Sequence, residues 1–423
     1  GRKHQQMADS SRVIAEKSKA EVGLEYWFEN EFGFRERSAF GFEKVQDAFE
    51  VEQTEEGVAL HSKHNNKSFH VGRFETPSVI DLRRRLETAR QHAEEEAQDQ
   101  SEESSLARTV KGIRFKNIAG DARQLHLSHE NAGSIFQVAS QFNCLEMVSP
   151  QRRPEQGVSD YYLDTTQGPA CAMACPAATV FRNYFCAGPR VEANTWSTGQ
   201  LQQIDTMCDV AALLDNDTHE YWRMQNGYLL PRPGAMRELG KRFKRELTAN
   251  SERGEGTTDR TEECDGLAAR VTGAVRIGVQ WDTETAKPAR SEEEKDDDEA
   301  TAAGTGGGGQ RVCQVLSSAL PMAYVPSTPT TDWQELAMPV LEAQYEGALL
   351  VAAILSRQRR ERVRVFLTCV GGGEFGNPSP WIQRAIARAL AGLREESLDV
   401  LLVHLSRLDA RYAFLDAAYD PVP

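Results

Sequence analysis

The stretch Arg362–Leu390, RVRVFLTCVGGGEFGNPSPWIQRAIARAL, decides how the rest of the chain is read. Its first third is rich in β-branched and aromatic residues, which predicts a buried strand running to about Val370. Gly371, Gly372, Gly373 and Gly376 follow at once, and Asn377-Pro378 closes the loop. SPWIQRAIARALAGL then has helical spacing, and LDVLLVHL, 398–405, predicts a second buried strand. A loop with so few side chains lets a ligand approach the backbone closely. Its successive N–H groups, backed by a helix N-terminus, make a nest for an anion such as a phosphate or diphosphate. No Lys-Ser/Thr follows the glycines and no Gly-x-Gly-x-x-Gly opens a first strand. A Walker loop is therefore excluded, and a Rossmann dinucleotide site is unsupported.

Working outward, WQELAMPVLEAQYEGALLVAAILSRQ, 333–358, predicts a long helix. AVRIGVQWD, 274–282, and RVCQVLSSALPMAYV, 311–325, predict strands, as do the apolar parts of VKGIRFKNIAGDARQLH, 110–126, and NAGSIFQVASQFNCLEM, 131–147. Strands alternating with helices imply an α/β fold, a mixed and mostly parallel sheet between helices, with ligands at the C-terminal strand ends. The first block, 20–88, is dense in aromatics and contains two strands joined at Asn65-Asn66, leading into a helix. It reads as an α+β extension packed on the core. Residues 1–19 read as a flexible N-terminus, 89–105 as an acidic flexible linker, and 106–423 as the main domain. Within the latter, 283–310 combines an acidic run with four consecutive glycines and reads as a disordered insert.

Net charge is −14 at pH 7, which argues against a nucleic-acid partner. No apolar run approaches the roughly 18 residues a membrane span needs. The N-terminal residues hold no apolar signal segment. Eight cysteines, several in apolar segments, fit a reducing compartment, the cytoplasm or the nucleus. Cys171 with Cys175, and His126 with His129, lack the paired spacing of a metal site, so no metal or cofactor is expected. The chain is expected to be a monomer.

Three further stretches carry chemistry. IAGDAR places Asp121 just after a strand, where it serves a ligand or caps a helix. FQVASQFNCLE ends in polar residues that include Asn143. GVSDYYLDTTQGPACAM sets Asp160 and Asp164 in one loop ahead of a helix of small residues. Glu155 and Glu374 are possible third acids, and Phe375 either stacks on a ligand or fills its loop.

Together with the glycine loop, these stretches resemble the macrodomain family, the ADP-ribose-binding fold, over roughly Val110–Leu402. The resemblance implies ADP-ribose contacts at Asp121, Ala122, Asn143, Gln167 and Gly168. It implies further contacts at Gly371, Gly372, Gly373, Glu374, Phe375, Gly376 and Asn377. The family's Asn-Ala-Ala-Asn stretch and the glutamate pair of poly(ADP-ribose) glycohydrolases are absent. The sequence looks more like a divergent branch, of the bacterial-effector type, that removes ADP-ribose from arginine. That reading implies an ADP-ribosylated protein partner, ubiquitin among the candidates, and catalysis by Asp160 and Asp164. Asp164 would lie nearer the ribose and Asp160 nearer the arginine, or the reverse. The alternative is a reader that binds ADP-ribose without turnover.

Overall fold

Twelve strands are described in the computed structural model, which covers residues 26–39, 41–99, 112–186, 202–252, 266–287 and 309–423. The expected flexible N-terminus, 1–19, lies outside these residues, as do 100–105 and the centre of the 283–310 insert. In chain order the strands are β1 Phe49–Thr54, β2 Gly57–Ser62, β3 Ser68–Glu75, β4 Arg114–Ala119, β5 Ile135–Ala139 and β6 Trp222–Gln225. They continue with β7 Tyr228–Pro231, β8 Gly278–Glu284, β9 Arg311–Ser317, β10 Val363–Thr368, β11 Leu398–His404 and β12 Asp420–Pro421. The first six helices are α1 Trp27–Phe32, α2 Phe42–Asp47, α3 Val79–Asp99, α4 Ala122–Leu127, α5 Gln167–Ala174 and α6 Pro176–Tyr184. After them come α7 Cys208–Leu213, α8 Ala235–Glu252, α9 Leu267–Ala274, α10 Thr330–Arg359, α11 Ser379–Gly392 and α12 Ala413–Asp416.

Ten strands form one sheet in the order β1-β2-β3-β8-β9-β5-β10-β11-β4-β12, and β6 with β7 makes a separate hairpin. From β9 to β12 every neighbouring pair is parallel, whereas from β1 to β9 every pair is antiparallel. This is the mixed, largely parallel sheet between helices expected of a macrodomain-like α/β fold. The central strands β5, β10 and β11 are buried on both faces, which explains their near-continuous apolar runs. At the outer edge, β1 carries the exposed Glu50 and Glu52, charges that discourage pairing with another chain.

The N-terminal block is continuous with the core sheet. β3 pairs with β8 through Arg73 with Trp281, Phe74 with Gln280 and Glu75 with Val279. Its aromatics explain their density in the sequence. The Phe32 ring lies 4.9, 5.2 and 5.1 Å from those of Phe28, Phe49 and Phe69. The Asn65-Asn66 turn between β2 and β3 is present, with Asn66 at φ +56°. Residues 89–99, expected as the start of a linker, instead continue α3, which packs along α10.

α10 is buried on nearly every face because α3, α8, α9, α11 and the sheet surround it. It is long and apolar enough to cross a membrane, a composition that this burial accounts for. Tyr345 links it to the strand end from which the glycine loop starts. The Tyr345 hydroxyl accepts the Val370 N–H and donates to Thr368 O, each at 2.9 Å. Tyr345→Phe removes one of the two acceptors of that buried N–H, which also reaches Thr368 O at 2.9 Å, and about 0.5–1.5 kcal/mol of stability is expected to be lost. A lower urea midpoint with an unchanged slope checks this; an unchanged midpoint refutes it.

Candidate active site

The C-terminal ends of β4, β5, β9, β10 and β11 open on one edge of the sheet, where a cleft of about 1030 Å³ lies. One wall is the glycine loop. Gly371 sits at φ +74°, and a side chain there would collide with Ala319. Asn377 closes the loop: its N–H donates to Gly371 O at 2.9 Å and its Nδ2 to Leu320 O at 2.9 Å. Gly372 and Gly376 spend their N–H groups on Cys369 O and Gly373 O. The N–H groups of Gly373, Glu374 and Phe375 meet no acceptor among the described residues. α11 begins at Ser379, four residues after Phe375, with Pro380 in its first turn, so its N-terminal end faces the same space.

The opposite wall is the first turn of α5. Asp164 Oδ1 accepts the Thr166 N–H at 2.8 Å, and Gln167 Oε1 accepts the Ala122 N–H at 2.7 Å. Gln167 and Gly168 keep N–H groups with no acceptor among the described residues. Gly168 is required for another reason: a Cβ there would stand 2.6 Å from Glu146 Oε2.

Glu146 is the acid that reading the sequence overlooks. It lines the cleft yet is only 7% exposed, and its Oε1 has no hydrogen-bond partner among the described residues. Burial raises its carboxyl well above the ordinary value of 4.5; the Asp164 carboxylate adds to the rise and the Arg182 guanidinium opposes it. Its backbone N–H donates to the Tyr161 hydroxyl at 3.0 Å. Arg182 is fully enclosed, bonded to Cys144 O, Gln280 Oε1 and Thr179 Oγ1 at 3.1, 3.1 and 3.3 Å. An acid between a strand end and a polar loop is the only signal for Glu146 in the sequence.

The inner floor is apolar. His126, Phe136 and Phe366 stack in series, with centroids 3.7 and 4.5 Å apart. Burial lowers His126 to about 4, so the ring is neutral at pH 7. Its Nδ1 donates to Ala122 O at 2.7 Å, which leaves Nε2 to accept from Gln314 at 3.1 Å.

Of the residues expected from the sequence, Ala122, Asp164, Gln167, Gly168 and the whole loop Gly371–Asn377 line the cleft. Three do not. Asp121 is exposed and caps α4, its Oδ1 accepting the Gln124 N–H at 3.1 Å. Asn143 turns away, bonding Gln203 at 3.0 Å and the Leu145 N–H at 3.2 Å beneath Gly227. Asp160 is held by Arg37 and by Arg152, the latter at 3.4 Å. Glu155 is exposed and Glu374 stands on the rim. Phe375 packs with Tyr228 and Tyr324, at 5.5 and 5.7 Å, so it fills its loop. Tyr228 comes from the β6–β7 hairpin, whose Asn226-Gly227 turn is a readable signal.

No protein-family model matches the sequence, and comparison with curated proteins finds no significant match. Among solved structures, the chain is similar to the poly(ADP-ribose) glycohydrolase of Deinococcus radiodurans in complex with ADP-ribose. Identity is 10%, the TM-score 0.35, and the match covers 81% of this chain and 92% of that one. It is also similar to the poly(ADP-ribose) glycohydrolase of Thermomonospora curvata bound to the inhibitor ADP-HPD. There identity is 13%, the TM-score 0.20, and coverage is 50% of this chain and 98% of that one.

The arginine-specific hydrolase expected from the sequence is corrected by these findings. The similar structures are poly(ADP-ribose) glycohydrolases, and the Asp160/Asp164 pair that supported arginine specificity is split by the ion pairs at Asp160.

A carboxyl raised by burial stabilises the fold below its unfolded value, and that contribution is lost as pH rises toward the folded value. Glu146→Gln removes this loss while keeping the shape. The variant is expected to be more stable than the wild type near about pH 8, with the gap closing near about pH 4. Urea midpoints at both values check the sign; a gap that widens at low pH overturns it.

Proposed function

We propose that the cleft binds an ADP-ribose unit and that the protein hydrolyses an O-glycosidic bond at its terminal ribose. The observation that carries this reading is the buried carboxyl of Glu146, set between two groups of free N–H donors. The donors at Gly373–Phe375 and at Gln167–Gly168 suit the two phosphates, for which the acidic chain supplies no net positive field. The apolar floor of Leu125, Phe136 and Phe366 suits the adenine.

A carboxyl kept protonated by burial is a general acid, and its natural acceptor is a departing oxygen. As the C–O bond breaks, the leaving oxygen takes the Glu146 proton. The Asp164 carboxylate stabilises the oxocarbenium ion that develops on the ribose. Water then adds to that carbon and returns a proton to Glu146. Proximity to Asp164 and Arg182 tunes the acid in opposite directions, the pattern expected where two carboxyls divide two roles.

The test is to incubate the protein with ADP-ribose polymer and with O-linked mono-ADP-ribosylated protein, and to measure free ADP-ribose. Release is expected from an O-linked substrate. Glu146→Gln should slow it by about 10²–10⁴ while calorimetry still detects ADP-ribose binding. Tight binding with substrate intact after long incubation replaces the hydrolase with the reader. An unchanged rate in Glu146→Gln removes Glu146 from the chemistry.

A further inference from the structure

Outside the cleft, donors from two elements converge on one buried carboxylate, that of Glu36. It is 6% exposed. The Val158 N–H reaches both of its oxygens at 2.9 Å, and the Ser159 N–H reaches Oε2 at 2.6 Å. The Tyr184 hydroxyl, at the end of α6, donates to Oε1 at 2.6 Å. Gly157, at φ +83°, curves the backbone around this group, and a side chain there would run into the carboxylate. The backbone of 157–159 is thus shaped to hold an anion, and the anion is supplied by a residue about 120 positions earlier.

Other contacts fasten the same segment to the same N-terminal block. Trp27 Nε1 donates to Ser159 O at 3.0 Å, and Arg37 pairs with Asp160. The turn Ser159–Leu163 then leads directly into Asp164 at the cleft. Within that turn Tyr161 accepts the Glu146 N–H. Both acids of the proposed reaction therefore hang on a segment whose anchor is Glu36.

We propose that Glu36 is a positioning residue for the cleft: its carboxylate holds the 157–164 turn so that Asp164 and Glu146 face the ligand. This rests on the hydrolase reading above. Charge-assisted bonds to two N–H groups and a hydroxyl need an acceptor on both oxygens. Glutamine offers one, and its NH₂ would face a donor.

The test uses Glu36→Gln and Tyr184→Phe in the full chain, with the glycine loop left intact. In Glu36→Gln, amide exchange at Val158 and Ser159 is expected to accelerate, and kcat to fall by about 10² through misplacement of the acids. ADP-ribose affinity, set by the phosphate walls, should change by less than about threefold. Tyr184→Phe should move exchange and kcat in the same direction by less. Unchanged exchange overturns the proposal. So does faster exchange with unchanged kcat, or a loss of affinity that matches the loss of kcat. If the wild type releases nothing from any substrate, the hydrolase reading falls, and exchange at Val158 and Ser159 alone decides whether Glu36 holds the turn.

Discussion

The Tyr345 hydroxyl is the point at which the most buried element meets the most open one. α10 contributes almost nothing to the cleft, yet its Tyr345 takes the Val370 N–H and gives its own proton to Thr368 O. Those two residues are the last fixed points before the glycines. Beyond them the chain has few side chains with which to define its path, so the loop's geometry is inherited from the core. Asn377 repeats the device at the other end, bonding Leu320 O and Gly371. Flexible residue types are thereby held in one conformation, with the N–H groups of Gly373, Glu374 and Phe375 left open among the described residues. Preorganised donors of this kind need no reorganisation when an anion arrives.

The electrostatics follow from the same economy of side chains. The chain carries a net charge of −14, and the walls that face the proposed diphosphate hold few cations. Partial charges on N–H groups and helix ends replace full charges there. Full charges are instead placed behind the walls. Arg182 is enclosed among Cys144, Thr179 and Gln280, with its guanidinium 5.9 Å from the Phe74 ring. It lies close enough to oppose the rise in the Glu146 carboxyl. Burial and Asp164 push Glu146 toward the neutral form, and Arg182 limits how far. A buried group balanced between such influences is suited to exchange a proton; one that is merely hidden is not.

What is legible in the sequence depends on how local its cause is. The glycine loop is legible because positive φ and close approach demand glycine at Gly371 whatever surrounds it. β10, β11 and α11 are legible because strands buried on both faces and an amphipathic helix write their periods directly. Gln167 and Gly168 line the cleft because they open a helix of small residues at its edge. Asp121, Asn143 and Asp160 are placed outside the cleft by partners from elsewhere in the chain or by a cap. Each sits in the right loop with its side chain pointing elsewhere. Glu146 fails in the opposite sense: the role proposed for it rests on burial beside α5, and burial of a single acid leaves no trace in local pattern. That β1–β3 continue the main sheet is likewise invisible, since the β3–β8 pairing joins residues about 200 apart.

The two aspartates of the 157–164 turn show why spacing alone misleads at such a site. Asp160 and Asp164 are four residues apart, which suggests a shared task. The short helical turn Ser159–Leu163 holds Asp160 and ends at Asp164, and it sends one outward and one inward. The outward one meets Arg37 and Arg152, and the inward one meets the cleft. An exposed ion pair contributes little to stability, about 0–1 kcal/mol, so Asp160 adds a second, weaker fastening beside the Glu36 carboxylate. The deeper partnership is between Asp164 and Glu146, 18 positions apart in sequence, where the Asp164 carboxylate adds to the rise in the Glu146 carboxyl. The N-terminal block and the loop before α5 act as one piece of machinery. The proposed acids are assembled from opposite ends of a segment that neither α5 nor the glycine loop could hold in place alone.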